Sequence, residues 1–370
     1  MNIQNNSYLE IDRSALLDNA RTILATLQNG TQLIPVLKDD AYGLGLCEIA
    51  QTLCTLPEIR TLAVAHVSEG LALRTAGIDR EILVMGAALP FQMEAAVRAE
   101  LTLGCPRLGF ARELAEAAQT VGTRAGIQIK IDTGLHRIGL ELGEIQLFLN
   151  ELRDCGDRIE VKGSFSHFSD VADAALDEKE YADFQSALAE LEAGGVAIPM
   201  RHMACSASSE RWPQYNMDGI RCGRRLYMGR PDKPDASIRE IASWRSYITQ
   251  IKMRRRGEAL GYGAAVTLER DCVVATVGVG YGDGLNQALF DVQGPVLVGG
   301  KRCRMLACCM DQCMIDVTGT VCTVGDEVTF FGYDRDGNFL SSQEVAALVG
   351  GDEGCGLTSA LSTRVARVYL

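Results

Sequence analysis

From about residue 10 to residue 230, short apolar runs alternate with amphipathic stretches, the pattern of repeated βα units. The runs "QLIPVLK", "TLAVAH", "EILVMG", "LTLGC", "GIQIKID", "EVKGSFSHF", "IPMRHMAC" and "GIRCG" read as eight strands. They are mostly apolar rather than alternating, so both sheet faces are expected to be covered, as in parallel sheets. Eight such strands predict an α/β fold, an N-terminal (β/α)8 TIM-type barrel, with a doubly wound open sheet as the alternative. Helical segments such as "DEKEYADFQSALAELEAGG" fall between the strands. At the start, Ser14 is placed to cap a helix whose Leu16, Ala20, Ile23 and Leu27 share a face, with Gly30 ending it.

The pattern breaks at "GRPDKPDASIRE", where two prolines and a run of charges stop any helix. Beyond it come short, β-rich, glycine-separated runs: "SYITQIKMRRR", "CVVATVGVG", "GPVLVGG", "KRCRMLACCM", "QCMIDVTG", "TVCTVGDEVTFFG" and "RVARVYL". Two domains are expected, a barrel over 1–235 and a mostly β domain over 236–370.

Composition narrows the partners. The 370 residues are 47% hydrophobic, enough for one large core or two moderate ones. A net charge of -12 supplies no general basic field for nucleic acid or an anionic membrane, so a small-molecule partner is favoured. No apolar run of ~20 residues appears, and the opening residues lack the features of a signal peptide, so a cytoplasmic protein is expected. Thirteen cysteines in such a chain read as reduced packing residues. The cluster Cys303, Cys308, Cys309 and Cys313 has no nearby histidine and no paired CxxC spacing, so packing is expected there and no metal.

In a barrel the chemistry sits where strands end. Lys38 ends the first apolar run, Lys130 and Asp132 the fifth, His167 the sixth, Cys205 and Ser206 the seventh and Arg221 the eighth. A lysine beside apolar walls and near cations can lose its proton and attack a carbonyl; taken alone, a strand-end lysine more often snorkels to solvent. "SAS" ahead of "DGIRCGRRLYMG" offers a hydroxyl and glycine-framed amides, which suit a phosphate. A phosphate handle with a carbonyl-binding lysine suggests pyridoxal 5'-phosphate.

Six motifs, in order, carry a resemblance. "VLKDDAYGLG", "KIDTGLHRIGL", "GSFSHF", "HMACSAS" with "MDGIRCGRRLYMG", "EALGYGAAV" and "CCMDQCMIDV" resemble those of the alanine racemase family of fold type III pyridoxal-phosphate enzymes, over about residues 9 to 370. The resemblance implies a barrel followed by a β domain, and an isomerase that interconverts L- and D-alanine as a peptidoglycan precursor step. It makes Lys38 the residue bound to the cofactor aldehyde and one of two acid/bases, and Tyr262 the second base, with His167 and Arg221 behind it. Arg221 would also face the pyridine nitrogen. Arg137 would contact the cofactor phenolate and substrate carboxylate, and Lys130 matches a lysine often carbamylated in the family. Tyr42, Ser206, Gly223 and Arg224 fall at phosphate contacts, Met310 at a carboxylate contact and Tyr281 at a gate tyrosine. In the family Tyr262, Tyr281 and Met310 act in the neighbouring subunit's site, which implies a homodimer. Singly, each residue has a blander reading: loop anchor for Tyr42, helix cap for Ser206, core histidine for His167, surface charge for Arg137 and Arg221, core filler for Met310. His66, His136 and His202 are given no role.

Three positions depart from the family pattern. Cys355 falls near a pocket-closing tyrosine, Cys205 stands for an asparagine, and Arg224 replaces a small apolar residue. A wider pocket opens serine or broader amino-acid racemisation as an alternative. A non-catalytic pyridoxal-phosphate barrel is disfavoured by "EALGYG" and "CCMDQC", and the usual motifs of a decarboxylase of this architecture are not evident.

Overall fold

In a computed structural model the described residues are 5–28, 30–228, 237–351 and 354–370. The expected boundary at 235/236 falls in 229–236, outside the described residues. The chain forms two compact units: Ala20–Ala41 with Leu46–Leu226, and Met1–Asn19, Tyr42–Gly45 and Tyr227–Leu370.

The first unit is the barrel. After β1 (Ser7–Ile11), which belongs to the other unit, come β2 (Gln32–Pro35), β3 (Thr61–Val64), β4 (Glu81–Val84), β5 (Thr102–Cys105), β6 (Ala125–Lys130), β7 (Ile159–Phe165), β8 (Arg201–His202) and β9 (Gly219–Cys222). Strands β3 to β8 form a parallel sheet in chain order, and β2 pairs in parallel with β9. Single bridges, Val36 to Ala63 and Cys205 to Arg221, join the two sheets on either side. The ring therefore closes with eight strands, as the apolar runs predict. Strands β3, β5 and β9 are buried at every position because helices cover the outside of the ring.

The helix Arg13–Thr26 buries Leu16, Ala20 and Ile23 as expected, but its cap is Asp12, not Ser14. Asp12 O accepts the Leu16 N–H (3.1 Å) and Asp12 Oδ1 accepts the Ala15 N–H (2.8 Å). Ser14 is already inside the first turn, where its hydroxyl has no cap to make.

The second unit is built on β10 (Ala242–Arg254), the β11 (Ala259–Leu260) and β12 (Val266–Thr267) hairpin, β13 (Cys272–Val277), β14 (Pro295–Val298), β15 (Lys301–Cys308), β16 (Cys313–Asp316), β17 (Glu327–Tyr333), β18 (Phe339–Leu340) and β19 (Ala366–Tyr369). Its nine-stranded sheet runs β18-β17-β14-β15-β16-β13-β10-β1-β19, and β10 also pairs with β17, so the sheet curls back on itself. β10 is long enough to serve both neighbours, with Trp244–Tyr247 against β17 and Ile248–Arg254 against β13. Cys303 and Cys313 are buried in this sheet, and all thirteen cysteines are free thiols.

Candidate active site

Lys38 stands at the C-terminal end of β2. The Val36 N–H donates to Cys222 O and the Leu37 N–H to Ala63 O, both at 2.8 Å, so the ladder holds both sides of the strand until the residue before the amine. Leu37 is buried and Lys38 exposed. The apolar run thus delivers the amine to the rim of the barrel.

The chain then makes one turn of left-handed helix, with φ between 53° and 60° at Asp39, Asp40, Ala41 and Tyr42. Each L-residue so placed costs roughly 1–2 kcal/mol. Carboxylates hold the turn: Glu69 Oε1 accepts the Asp39 N–H (2.6 Å), and Asp40 Oδ1 accepts the Leu46 N–H (2.8 Å). Glu69 Oε2 also accepts from Ala65 (2.8 Å) and His66 (2.9 Å), binding the turn to the loop after β3. Strain of this kind persists only where the surroundings over-determine it.

Arg221, on β9, is buried with its terminal nitrogens fully engaged. One donates to His202 Nδ1 (2.7 Å) and His202 O (3.3 Å), the other to His167 Nδ1 (2.9 Å), Ser166 O (2.8 Å) and Met203 O (3.0 Å). None of these bonds uses its Nε–H. Both histidines accept at Nδ1, so each is the neutral tautomer with the proton on Nε2. His202 donates that proton to Gln128 Oε1 (2.6 Å). Burial, then the Arg221 charge, hold the His167 pKa down to about 3, and the same two causes push His202 well below its usual value.

Lys130, at the end of β6, is buried over the Phe165 ring and donates to Ile131 O (2.5 Å) and Ser166 Oγ (3.5 Å). Burial, reinforced by the charges of Arg221 and Arg137, brings its pKa down to about 7. Arg137 lies on an exposed loop that returns to the barrel through the Ile131 to Leu140 bridge, and Asp132 Oδ1 fixes it by accepting from Gly134 (3.1 Å) and His136 (3.0 Å). Its charge, and that of Lys38, also depress His167. The strand-end residues Lys38, Lys130, His167 and Arg221 and the loop residue Arg137 therefore share one electrostatic neighbourhood.

Ser206 opens the helix Ser206–Arg211, with its Oγ 3.3 Å from Cys222 Sγ. Gly223 follows Cys222, and Arg224 begins the helix Arg224–Tyr227. Two helix starts thus lie at the ends of neighbouring strands, one after Cys205 and one after Gly223, whose carbonyl accepts the Leu226 N–H (2.8 Å). The Cys205 N–H donates to Ser208 Oγ (2.8 Å), and that hydroxyl lies 3.5 Å from Cys205 Sγ.

In the second unit Tyr42 packs against Tyr227, with ring centroids 5.3 Å apart. Gly43 lies so close to the helix Cys355–Ser359 that a Cβ would sit 2.2 Å from Thr358 O. Cys355 Sγ is 4.0 Å from Met228 Sδ, one residue from Tyr227. The Tyr42 turn, Tyr227 and Cys355 are thus brought together. So are Tyr281 and Met310, since the Tyr281 N–H donates to Cys309 O (3.1 Å) and the Gly282 N–H to Met310 O (2.8 Å). Tyr262 caps the β11–β12 hairpin and is 81% exposed; Gly261 before it rests against Ala307 of β15.

Sequence reasoning gave His202 no role, yet it shares the Arg221 guanidinium equally with His167. Its signal was available, a polar residue close to the end of the seventh apolar run. Gln128, its partner, lies inside a strand and carries no such mark.

An exposed strand-end amine, an uncommitted Arg221 Nε–H and a hydroxyl at a helix start suit the aldehyde, ring nitrogen and phosphate of pyridoxal phosphate. Among the described residues no helix is long and apolar enough to cross a membrane.

Comparisons with known proteins give relatives along the whole chain. The family model described as alanine racemase, N-terminal domain, matches residues 11–231, and that of the alanine racemase C-terminal domain matches 241–369. An alanine racemase of Geobacter sulfurreducens is 33% identical over 98% of this chain and 96% of its own length, and one of Methanococcus maripaludis is 32% identical over 98% of each. Among solved structures, the alanine racemase of Clostridium difficile 630 superposes with a TM-score of 0.92 at 28% identity, covering all of this chain and 96% of that one. A Bacillus anthracis alanine racemase with bound L-Ala-P superposes equally well, at 26% identity. Barrel and β domain together, from residue 11 to residue 369, make this chain a member of the alanine racemase family.

Proposed function

We propose that this chain is a pyridoxal-phosphate-dependent isomerase that interconverts L- and D-alanine by a two-base mechanism. The observation that carries it is the Lys38 amine at the rim of a barrel whose neighbouring cation, Arg221, is locked between two neutral histidines. When bound, pyridoxal phosphate supplies an aldehyde for the amino group and a ring that spreads the electrons left when the α-carbon loses its proton.

Lys38 holds the cofactor and moves a proton at one face of the α-carbon. The partner subunit's Tyr262 moves one at the other. A free phenol titrates near pKa ~10 and is a poor base at neutral pH, so it needs a hydrogen-bond donor to favour its anion. His167 carries its proton on Nε2 because Arg221 occupies Nδ1, which makes it such a donor. Arg221 would face the ring nitrogen and, as a guanidinium, would give it no proton, which would restrain charge build-up in the ring.

Arg137 binds the substrate carboxylate, with Lys130, as its carbamate, holding it in place. A lysine with a pKa of about 7 has the neutral amine that adds carbon dioxide. Tyr42, Ser206, Gly223 and Arg224 take the phosphate. Met310 and Tyr281 line the approach from the partner subunit, and Cys355 closes the pocket less tightly than a phenol does. The active form is a homodimer with shared sites, working in the cytoplasm to supply D-alanine for the cell wall.

The purified holoenzyme, given each L-amino acid separately, should form the D-enantiomer fastest from alanine. Serine turned over far faster would make Cys355 the mark of a serine racemase and overturn the substrate assignment.

A further inference from the structure

We infer that Glu180 is a positioning residue of this site, holding the Arg137 loop in register with the segment that leaves β7 beyond His167; the inference rests on the reading of Arg137 as the carboxylate-binding arginine. Glu180 lies on the helix Ala174–Ala193 and is fully buried. A buried carboxylate persists only where hydrogen bonds or charges satisfy it. Its bonds go to one residue: Oε2 accepts the Ser169 N–H (2.9 Å) and Oε1 accepts the Ser169 hydroxyl. Ser169 is two residues past His167.

The same oxygen, Oε1, also faces Gly134, three residues before Arg137. A Cβ there would stand 2.1 Å from Glu180 Oε1 and 2.9 Å from Cδ. The oxygen has no easy retreat, because the Ser169 hydroxyl holds it and no solvent surrounds it. Gly134 is fixed in turn, its N–H bound by Asp132 Oδ1 (3.1 Å). One buried group thus sets the spacing between two loops that carry Arg137 and follow His167. A displacement of the order of 1 Å in a positioning group can cost up to about a hundredfold in rate.

The test uses holoenzyme variants Gly134→Ala, Ser169→Ala and Glu180→Gln, with unfolding midpoints to confirm that each is folded. The expected result is a rise of about tenfold in KM for alanine with kcat within about threefold, the signature of a misplaced binding group rather than a damaged fold. Amide exchange over 133–139 should quicken while strands β3 to β7 stay protected. Gly134→Ala combined with Glu180→Ala should be milder than the product of the two single changes, because removing the carboxylate vacates the space the new methyl needs. Folded Gly134→Ala and Ser169→Ala enzymes with wild-type KM and wild-type exchange would overturn the inference. Quickened exchange in variants of a wild-type enzyme that leaves alanine untouched would uphold the anchoring and remove only the racemase reading.

Discussion

A guanidinium flanked by two imidazoles has only one comfortable charge state, and the protonation of the whole rim follows from it. Arg221 keeps its charge, so His167 and His202 must stay neutral with Nδ1 accepting. The sign of the pH dependence is then fixed. In the unfolded chain these histidines take up protons below about 6.5, whereas folded His167 resists until about 3, so the unfolded state binds more protons through that window and stability falls with acid. Each histidine contributes up to about 1.4 kcal/mol per pH unit. Urea unfolding of wild type and His202→Gln between pH 4 and 7 should show the variant losing stability less steeply; parallel slopes would refute the neutral pair. Lys130 behaves in the opposite sense for modification: above about pH 7 its amine is neutral and open to carbon dioxide, below it is not. Intact-mass measurement with bicarbonate should find one added carbon dioxide at pH 8 and none in Lys130→Met. Of this set, Lys38, Lys130, His167 and Arg221 stand out because each ends an apolar run. His202 lies near the end of one too, but its tie to Gln128 on another strand has no mark in the sequence, nor does that of Glu180 to Ser169 on another loop.

At the scale of elements, the runs located all eight barrel strands; β3, β4 and β5 are almost wholly apolar because both faces are covered, while β7 and β8 carry polar residues and are marked by the apolar residues around them. The runs could not locate caps. Ser14 and Asp12 are both good capping residues, and the choice between them is set by where the backbone begins to coil, which Ile241 O fixes by accepting the Asp12 N–H (2.8 Å). Asp12→Ala should therefore cost about 1 kcal/mol in urea unfolding and Ser14→Ala almost nothing. Nor could periodicity reveal the left-handed turn after Lys38, since "DDAY" contains no glycine to announce it. The conformation is imposed from outside by Glu69 and by Leu46, whose N–H reaches Asp40. At Asp39, with φ 57°, a β-branched side chain is worst placed and glycine best. Asp39→Val should destabilise by about 1–2 kcal/mol relative to Asp39→Gly. Equal stability of the two would mean that the turn is not strained as described.

At the scale of the molecule, the chain's two ends lie in one sheet. β1 pairs with β10 on one side and with β19 on the other, so residues 7–11 are held by strands more than 200 positions away. Local patterning has no access to such pairings, and the first strand of the chain escaped it for that reason. The same limit applies to Tyr262. A phenol that is 81% exposed on a hairpin tip does no acid/base chemistry in bulk water, and as a second base it has to be enclosed by another surface. If that surface is a second copy, each site takes Lys38 from one subunit and Tyr262 from the other, and the two-fold makes both sites alike. Lys38→Ala and Tyr262→Phe homodimers should then each be inactive, the latter with its cofactor still bound. After mixing and reassortment, half the dimers are mixed, and each mixed dimer has one site with both residues intact and one with neither. About a quarter of wild-type activity should return. Sites contained within single subunits would recover none, since no subunit in the mixture has both groups, and that result would exclude shared sites.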